Sequence, residues 1–112
     1  MLYKDCEAMW FFLDNDDLGQ QRCEVLFKDK NIVVDFFDNG RFGSALWRGE
    51  ENGNGHYQLR LEGGDYGVAG LHRFDGGNFL DGYWEQDDAD GTRGKGMVRI
   101  TLSDPVKIKK KK

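Results

Sequence analysis

The sequence predicts an all-β protein in which about eight antiparallel strands form an up-and-down meander, closed or nearly closed into a small barrel. Glycine is abundant, with 16 residues, and proline occurs once, a composition typical of an ordered chain with many turns and bulges. Short alternating segments are separated by brief turn sequences. Short links make neighbouring strands antiparallel, and closure of such a meander removes both exposed sheet edges. A pair of packed sheets or a half-open barrel is the alternative.

An internal repeat supports this architecture. Residues 37–47 resemble residues 74–84, with Phe, Asp, Gly, Phe and Trp coinciding at five places. A repeat indicates that one supersecondary unit has been used twice. The unit is a strand, a tight turn, a second strand that ends in Trp47 or Trp84, a loop and a third strand.

The first strand is predicted over residues 6–13, which include the apolar run 9–13. Residues 2–13 could instead form a short N-terminal helix that plugs one end of the barrel, because Glu7, Ala8 and Met9 suit a helix. The turn after this segment is placed near residues 16–17, in an acidic, glycine-containing stretch.

The next three strands are predicted over residues 21–28, 31–37 and 41–48. The first of them alternates between apolar and polar residues, and the second is rich in β-branched and aromatic residues. Between the second and third lies Asp38-Asn39-Gly40, which is typical of a tight hairpin turn, because Asn and Gly tolerate positive φ angles.

The last four strands are predicted over residues 56–62, 66–74, 78–86 and 94–102, joined by glycine-containing turns. Alternation also assigns their faces. Residues expected to point inward are Ala45, Trp47, Tyr57, Leu59, Leu61, Gly82, Trp84, Gly96, Val98 and Ile100. Arg60 and Arg99 are expected to point outward, beside acidic neighbours such as Glu62 and Asp81.

The length of 112 residues suits one domain, expected over residues 1–104, followed by a mobile lysine-rich tail over 105–112. Residues 1–106 carry eleven basic and twenty acidic residues, a charge of −9. An acidic body is a poor match for a phosphate backbone, so no nucleic-acid partner is expected. Acidic residues in the first seven positions argue against a signal peptide, and no apolar run reaches a membrane-spanning length of about 20 residues.

A cytoplasmic protein without membrane insertion is therefore expected, with Cys6 and Cys23 as reduced core residues. In a hairpin centred near residues 16–17 these two cysteines would not face each other. A disulfide between them is the alternative.

Five residues are candidates for a ligand site inside or at the mouth of the barrel: Trp10, Trp47, Trp84, Tyr57 and His72. Aromatic side chains offer apolar area with a polar edge, and an eight-stranded barrel is just wide enough to be filled by side chains or to hold one small ligand. Plain core packing of the same aromatic residues is the alternative interpretation.

The first segment also predicts a partner surface. If residues 9–13 are a strand, Trp10 and Phe12 face one side, while Met9, Phe11 and Leu13 face the other. Only one side can face the barrel interior. The strip of Met9, Phe11 and Leu13 is therefore a candidate interface for a second copy or another protein, unless the chain's own termini cover it.

Catalytic, metal and cofactor chemistry is not indicated. His56 and His72 are the only histidines, and neither lies at metal-ligand spacing from another histidine or a cysteine pair. The acidic loops near residues 14–17 and 85–91 match no complete calcium-binding loop and are expected to be solvated turns. No metal site and no cofactor are predicted.

The predicted architecture resembles that of lipocalins, avidins and fatty-acid-binding proteins in strand count, short turns and Trp and Gly placement. The lipocalin Gly-x-Trp sequence is not present, since Trp10 follows Ala8 and Met9. The resemblance implies a calycin-like barrel and a small non-enzymatic binding protein, with a small apolar or aromatic ligand in the barrel mouth. The alternative is a protein–protein interaction module, either an inhibitor or adaptor or a homodimer, that acts through its acidic face or the N-terminal strip. An enzyme on the same scaffold is a third hypothesis.

Overall fold

Eight strands follow one another around a closed antiparallel barrel, which confirms the predicted fold class. The computed structural model describes residues 1–13, 18–63, 66–87 and 93–106. The strands are β1 (Leu2–Phe12), β2 (Leu18–Lys28), β3 (Asn31–Phe36), β4 (Ala45–Glu51), β5 (His56–Leu61), β6 (Gly67–His72), β7 (Phe79–Asp87) and β8 (Arg93–Thr101).

The first and last strands close the barrel. β1 pairs with β8 from Glu7 opposite Thr101 to Phe12 opposite Gly96, and it pairs with β2 along its other edge. The alternative of an N-terminal helix over residues 2–13 is therefore wrong, because this segment is hydrogen-bonded on both sides as a strand. No helix occurs among the residues that the structure describes, so none there could cross a bilayer.

Aromatic side chains fill the interior. The ring of Trp10 lies 5.4 Å from that of Trp84 and 5.1 Å from that of Phe36, and Phe12 lies 5.3 Å from Trp84. The remaining interior space is an apolar cavity of about 10 Å³, bordered by Trp10, Trp47 and aliphatic side chains. This is about the smallest volume that can hold one water molecule, so the barrel core is packed.

The predicted inward faces of β4, β5, β7 and β8 are confirmed. Trp47, Leu59, Trp84, Val98 and Ile100 are all buried, and Ala45, Tyr57 and Leu61 pack against the core from partly buried positions. Arg99 points outward and forms a bidentate ion pair with Asp81, with distances of 2.6 Å and 3.2 Å.

Glycines on the inner face allow the strands to approach closely. A Cβ atom added to Gly82 would lie 1.7 Å from the carbonyl oxygen of Gly70, and one added to Gly96 would lie 1.6 Å from that of Phe11. No side chain fits in that space, because the obstructing atoms belong to the neighbouring backbone. Such positions let a small sheet bend sharply enough to close.

The link between β3 and β4 is longer than predicted. β4 begins at Ala45 instead of residue 41, and residues 37–44 form a loop. The side-chain oxygen of Asn39 accepts hydrogen bonds from the backbone N–H groups of Arg41, at 3.0 Å, and Phe42, at 2.7 Å. These local bonds replace the ladder of a tight hairpin.

The expectation that Cys6 and Cys23 do not face each other is wrong. β2 begins at Leu18, so the β1–β2 hairpin is centred earlier than residues 16–17, and Cys6 is the register partner of Cys23. Both cysteines are fully buried and free, as expected for reduced core residues.

The C-terminal part of the described chain remains in contact with β1. Pro105 forms a bridge with Tyr3, and the N–H of Val106 donates to the carbonyl oxygen of Leu2 across 2.8 Å. The lysines of the predicted tail, residues 107–112, lie outside the described residues, as do the acidic loop positions 14–17 and 88–92.

Candidate functional site

At one end of the barrel, the residues that the structure describes form a cover made of aromatic rings and the 37–44 loop. Phe42 leaves this loop and stacks on Phe12, with ring centroids 6.3 Å apart. Below them, the buried side chain of Gln21 accepts a hydrogen bond from the indole of Trp10 and donates to the carbonyl oxygens of Phe37 and Gly43. These contacts attach the loop to the core, and they leave Phe12 and Phe42 half-buried.

The opposite end carries an open groove of about 770 Å³, within the range of about 300–1,000 Å³ found for ligand sites. We call it the mouth. It lies between the start of β1, the β4–β5 turn and the β6–β7 turn, and its walls include Tyr3, Glu51, Tyr57, Arg73, Phe74 and Asp75.

Aromatic rings form the floor of the mouth. Tyr3 and Phe27 meet edge to face with centroids 5.8 Å apart, and Phe27 lies 5.5 Å from Tyr57. Tyr3 is buried, whereas Phe27 and Tyr57 are half-buried. Of these three rings, Tyr3 and Tyr57 border the mouth itself, and Phe27 packs against both of them. The floor therefore offers the partly exposed ring of Tyr57 and a hydroxyl group on each tyrosine.

Arg73 lies over this floor. Its guanidinium carbon is 5.0 Å from the centroid of Phe27 and 5.4 Å from that of Tyr3. It donates hydrogen bonds to the Tyr3 hydroxyl, at 3.2 Å, and to the carbonyl oxygen of Gly77, at 3.0 Å. A guanidinium has five N–H donors, and among the described residues no carboxylate forms an ion pair with Arg73. The mouth thus contains a cation with donors to spare.

The hydroxyl of Tyr57 is a second donor in the mouth. Burial raises the pKa of Tyr57 above its ordinary value, the charge of Glu51 raises it further, and Arg73 acts in the opposite direction. The phenol is therefore protonated near neutral pH and can donate a hydrogen bond.

Four of the five predicted ligand residues lie outside the mouth, and Tyr57 is the exception. Trp10, Trp47 and Trp84 belong to the packed core, where each is less than a tenth exposed. The indole of Trp84 also donates to the carbonyl oxygen of Met97 across 3.1 Å. The packing of these tryptophans matches the alternative interpretation of core residues.

His72 lies on the outer face of the barrel, at the edge of the mouth. Ala69 and Leu71 point inward, so alternation turns His72 outward and Arg73 inward. The ring of His72 faces His56 on β5, with the two Nδ1 atoms 3.3 Å apart.

Sequence reasoning missed Arg73 and the His56–His72 pair. The parity of β6 could have identified Arg73, because it continues the inward positions of Ala69 and Leu71. The turn predicted over 63–65 could have identified the pair, because His56 and His72 lie equally far from its centre.

The predicted N-terminal strip points outward. Phe11 and Leu13 are exposed, and Met9 is half-exposed. Phe11 of this strip is also part of a row that runs across the strands. Its register partners on the neighbouring strands, and the next partner beyond, are exposed apolar side chains as well. This outer row consists of Leu18, Phe11, Met97 and Tyr83.

Within the described parts of the chain, no three or more His, Cys, Asp or Glu residues are grouped so that they could hold a metal ion. Comparisons of the chain with protein-family models, curated proteins and solved structures found no match.

Proposed function

We propose that this chain is a small non-enzymatic binding protein that holds a small apolar or aromatic ligand in the barrel mouth, and that the ligand carries one anionic group. The observation that carries the proposal is Arg73, a half-buried cation placed over aromatic rings without a carboxylate partner among the described residues.

The position of the ligand follows from packing. The core has room for no more than about one water molecule, so a ligand the size of an aromatic ring cannot enter it without displacing core side chains. The mouth provides about 770 Å³ above partly exposed aromatic rings. An apolar molecule gains burial there, and its polar end meets the donors of Arg73 and Tyr57.

The charged side chains in the walls of the mouth indicate the charge of the ligand. Arg73 favours an anionic group, because charge-assisted hydrogen bonds to a guanidinium are stronger than neutral ones. Glu51 and Asp75 also line the mouth and repel negative charge. A ligand with a single carboxylate or sulfonate directed at Arg73 fits this distribution better than a multiply charged ligand such as a nucleotide.

The test uses two fluorescent probes with closely similar aromatic parts, 8-anilinonaphthalene-1-sulfonate and the uncharged N-phenyl-1-naphthylamine. We expect the sulfonate to bind more tightly. We also expect Arg73→Met to weaken its binding by about tenfold or more, since hydrogen bonds to charged groups contribute about 1.5–3 kcal/mol. Binding of the uncharged probe should change little.

Arg60→Met is the matched control, because it removes the same charge from an exposed position on the outside of β5. Equal binding of the sulfonate to the unmodified chain, Arg73→Met and Arg60→Met would contradict the proposal.

A homodimer is the second candidate function, and the outer row favours it. If a two-fold axis lies parallel to the strands between β7 and β8, Met97 packs against the partner's Tyr83. The same axis places Lys95 opposite the partner's Glu85 and Arg99 opposite the partner's Asp81. These residues pair within one chain as Tyr83 with Met97, Glu85 with Lys95 and Asp81 with Arg99, so the row and its flanking charges are self-complementary.

Light scattering over a range of protein concentrations tests this dimer. We expect Met97→Lys to shift the chain towards the monomer, because it buries an unpaired charge at the centre of the interface. Leu26→Lys, on the outer face of β2 and outside the row, is the control. A monomer at all concentrations, or equal effects of both substitutions, would rule the dimer out.

We also propose a cytoplasmic location for the chain. Cys6 and Cys23 are register partners and yet both are free, which supports a reducing compartment.

A further inference from the structure

The two histidines of the chain are brought together on the outer face of the β5–β6 hairpin. His56 and His72 are register partners, and their Nδ1 atoms are 3.3 Å apart. The N–H of Arg73 donates to the carbonyl oxygen of Gly55 across 2.9 Å, just beyond the pair. This bond makes His56 and His72 a non-hydrogen-bonded pair, the type in which cross-strand side chains are closest.

The distance between the two nitrogens matches the geometry of metal coordination. Zn²⁺ binds imidazole nitrogens at about 2.0–2.1 Å with tetrahedral angles, which places two nitrogen ligands about 3.3–3.4 Å apart. The ring of His72 is held in this orientation by an edge-to-face contact with Phe74, with centroids 4.4 Å apart. The ring centroids of His56 and His72 are 4.4 Å apart at an interplanar angle of 48°, so a metal ion bound to both Nδ1 atoms would require the rings to tilt apart while the nitrogens keep their spacing.

We propose that His56 and His72 form a two-histidine binding site for a transition-metal ion of the zinc class, with both rings coordinating through Nδ1. The remaining coordination positions are left to solvent or a small ligand. Asp81 lies next on this side of the barrel, opposite His72, but its carboxylate is engaged by Arg99. Imidazole ligands select Zn²⁺, Ni²⁺ or Cu²⁺ over Mg²⁺ or Ca²⁺, which prefer oxygen ligands.

The competing interpretation is an imidazole–imidazole hydrogen bond, in which one Nδ1 carries a proton and no metal binds. The experiment is a calorimetric titration of the full chain, without a polyhistidine tag, with ZnCl₂ and, in parallel, with CaCl₂. Nitrogen NMR of the two imidazoles reports which ring atoms coordinate. We expect one Zn²⁺ per chain, simultaneous shifts of both Nδ1 resonances, and no response to Ca²⁺.

The control variant exchanges His56 with Gln20 (His56→Gln with Gln20→His). Composition and net charge are unchanged, and the exposed position 20 lies four strands from His72, about 19 Å along the sheet. Cys6 and Cys23 are unchanged, so binding by thiols would be equal in both proteins. We expect Zn²⁺ affinity to fall by on the order of 10²-fold, because two linked ligands become two separate ones.

Equal Zn²⁺ affinity of the unmodified and exchanged chains, or an Nδ1 shift of only one ring, would overturn the site and leave the hydrogen bond as the role of the pair. If the exchanged chain does not fold, the NMR titration of the unmodified chain decides, since absence of a joint Nδ1 shift contradicts the proposal by itself.

Discussion

The indole Nε1 of Trp10 donates a hydrogen bond to Oε1 of Gln21 across 3.2 Å, inside the barrel. The amide nitrogen of Gln21 donates to the carbonyl oxygens of Phe37 and Gly43, each at 3.0 Å. This one buried glutamine therefore connects a core tryptophan to both ends of the 37–44 loop. Among the described residues, every buried side-chain nitrogen and oxygen has a hydrogen-bond partner.

Gln21→Leu should lower the free energy of unfolding by about 2–6 kcal/mol. The substitution keeps the apolar bulk but leaves the buried Trp10 N–H without its partner, which costs about 1–3 kcal/mol, and removes two part-buried hydrogen bonds that contribute about 0.5–1.5 kcal/mol each. Urea unfolding followed by tryptophan fluorescence measures the loss. The neighbouring Gln20→Leu changes an exposed side chain and serves as the control. Equal stability of the two variants would show that the buried network contributes nothing.

Gly82→Ala should destabilise the barrel by more than about 3 kcal/mol or prevent folding. The new methyl group would lie 1.7 Å from the carbonyl oxygen of Gly70. That oxygen belongs to the backbone of β6, which is paired with β7, so it cannot move away without disturbing the sheet. Gly43→Ala, at a position with no atom within 4 Å, is the matched substitution. Thermal unfolding by circular dichroism compares them, and a similar midpoint for both variants would contradict the close approach of β6 and β7.

The thiols of Cys6 and Cys23 should react slowly with Ellman's reagent in the folded protein and rapidly in urea. Both side chains are fully buried, and burial raises the pKa of Cys23, with further contributions from Cys6, Asp35 and Glu24. The Cys23 thiolate is therefore scarce, and both sulfur atoms are inaccessible to the reagent. Fast reaction of either cysteine under native conditions would contradict this packing.

The stability of the protein should decline as the pH rises above about 9. The pKa of Cys23 is raised from an ordinary value of 9.0, so the unfolded chain loses this proton at a pH where the folded chain retains it. The stabilising contribution is complete below pH 9 and is lost progressively above it. Cys23→Ala should reduce the slope of unfolding free energy against pH between 9 and 10.5. An unchanged slope would show that the thiol titrates normally.

The structural features that depend on local alternation of apolar and polar residues can be predicted from the sequence. Each residue's face follows from its parity within a strand, so the inward positions of Trp47 and Trp84 and the outward position of Phe11 were predictable. The number of strands and their order followed from the short links between them. Closure of the barrel depends in addition on the pairing of β1 with β8, which lie at opposite ends of the sequence.

Features that depend on register were not predicted. The Cys6–Cys23 pair requires the centre of its hairpin to within one residue, and a larger error changes every partner. The centre predicted for the β5–β6 hairpin is correct, but the pairing of His56 with His72 follows only when the two strands are placed side by side. The tight turn predicted at Asp38-Asn39-Gly40 is a longer loop over residues 37–44, because the hydrogen bonds of Asn39 compete with the strand pairing that Asn-Gly usually begins. The prediction of His72 in the ligand site turns Arg73 outward by alternation, and for that reason Arg73 is not among the predicted site residues.

The most direct measurement is a backbone NMR titration of the chain with 8-anilinonaphthalene-1-sulfonate. The proposed mouth site predicts that the largest shifts cluster at Gly55, Tyr57, Arg73 and Gly76, and that Arg73→Met reduces them. Shifts concentrated at the core residues Leu59, Ala69 and Val98, or along the outer row, would contradict it.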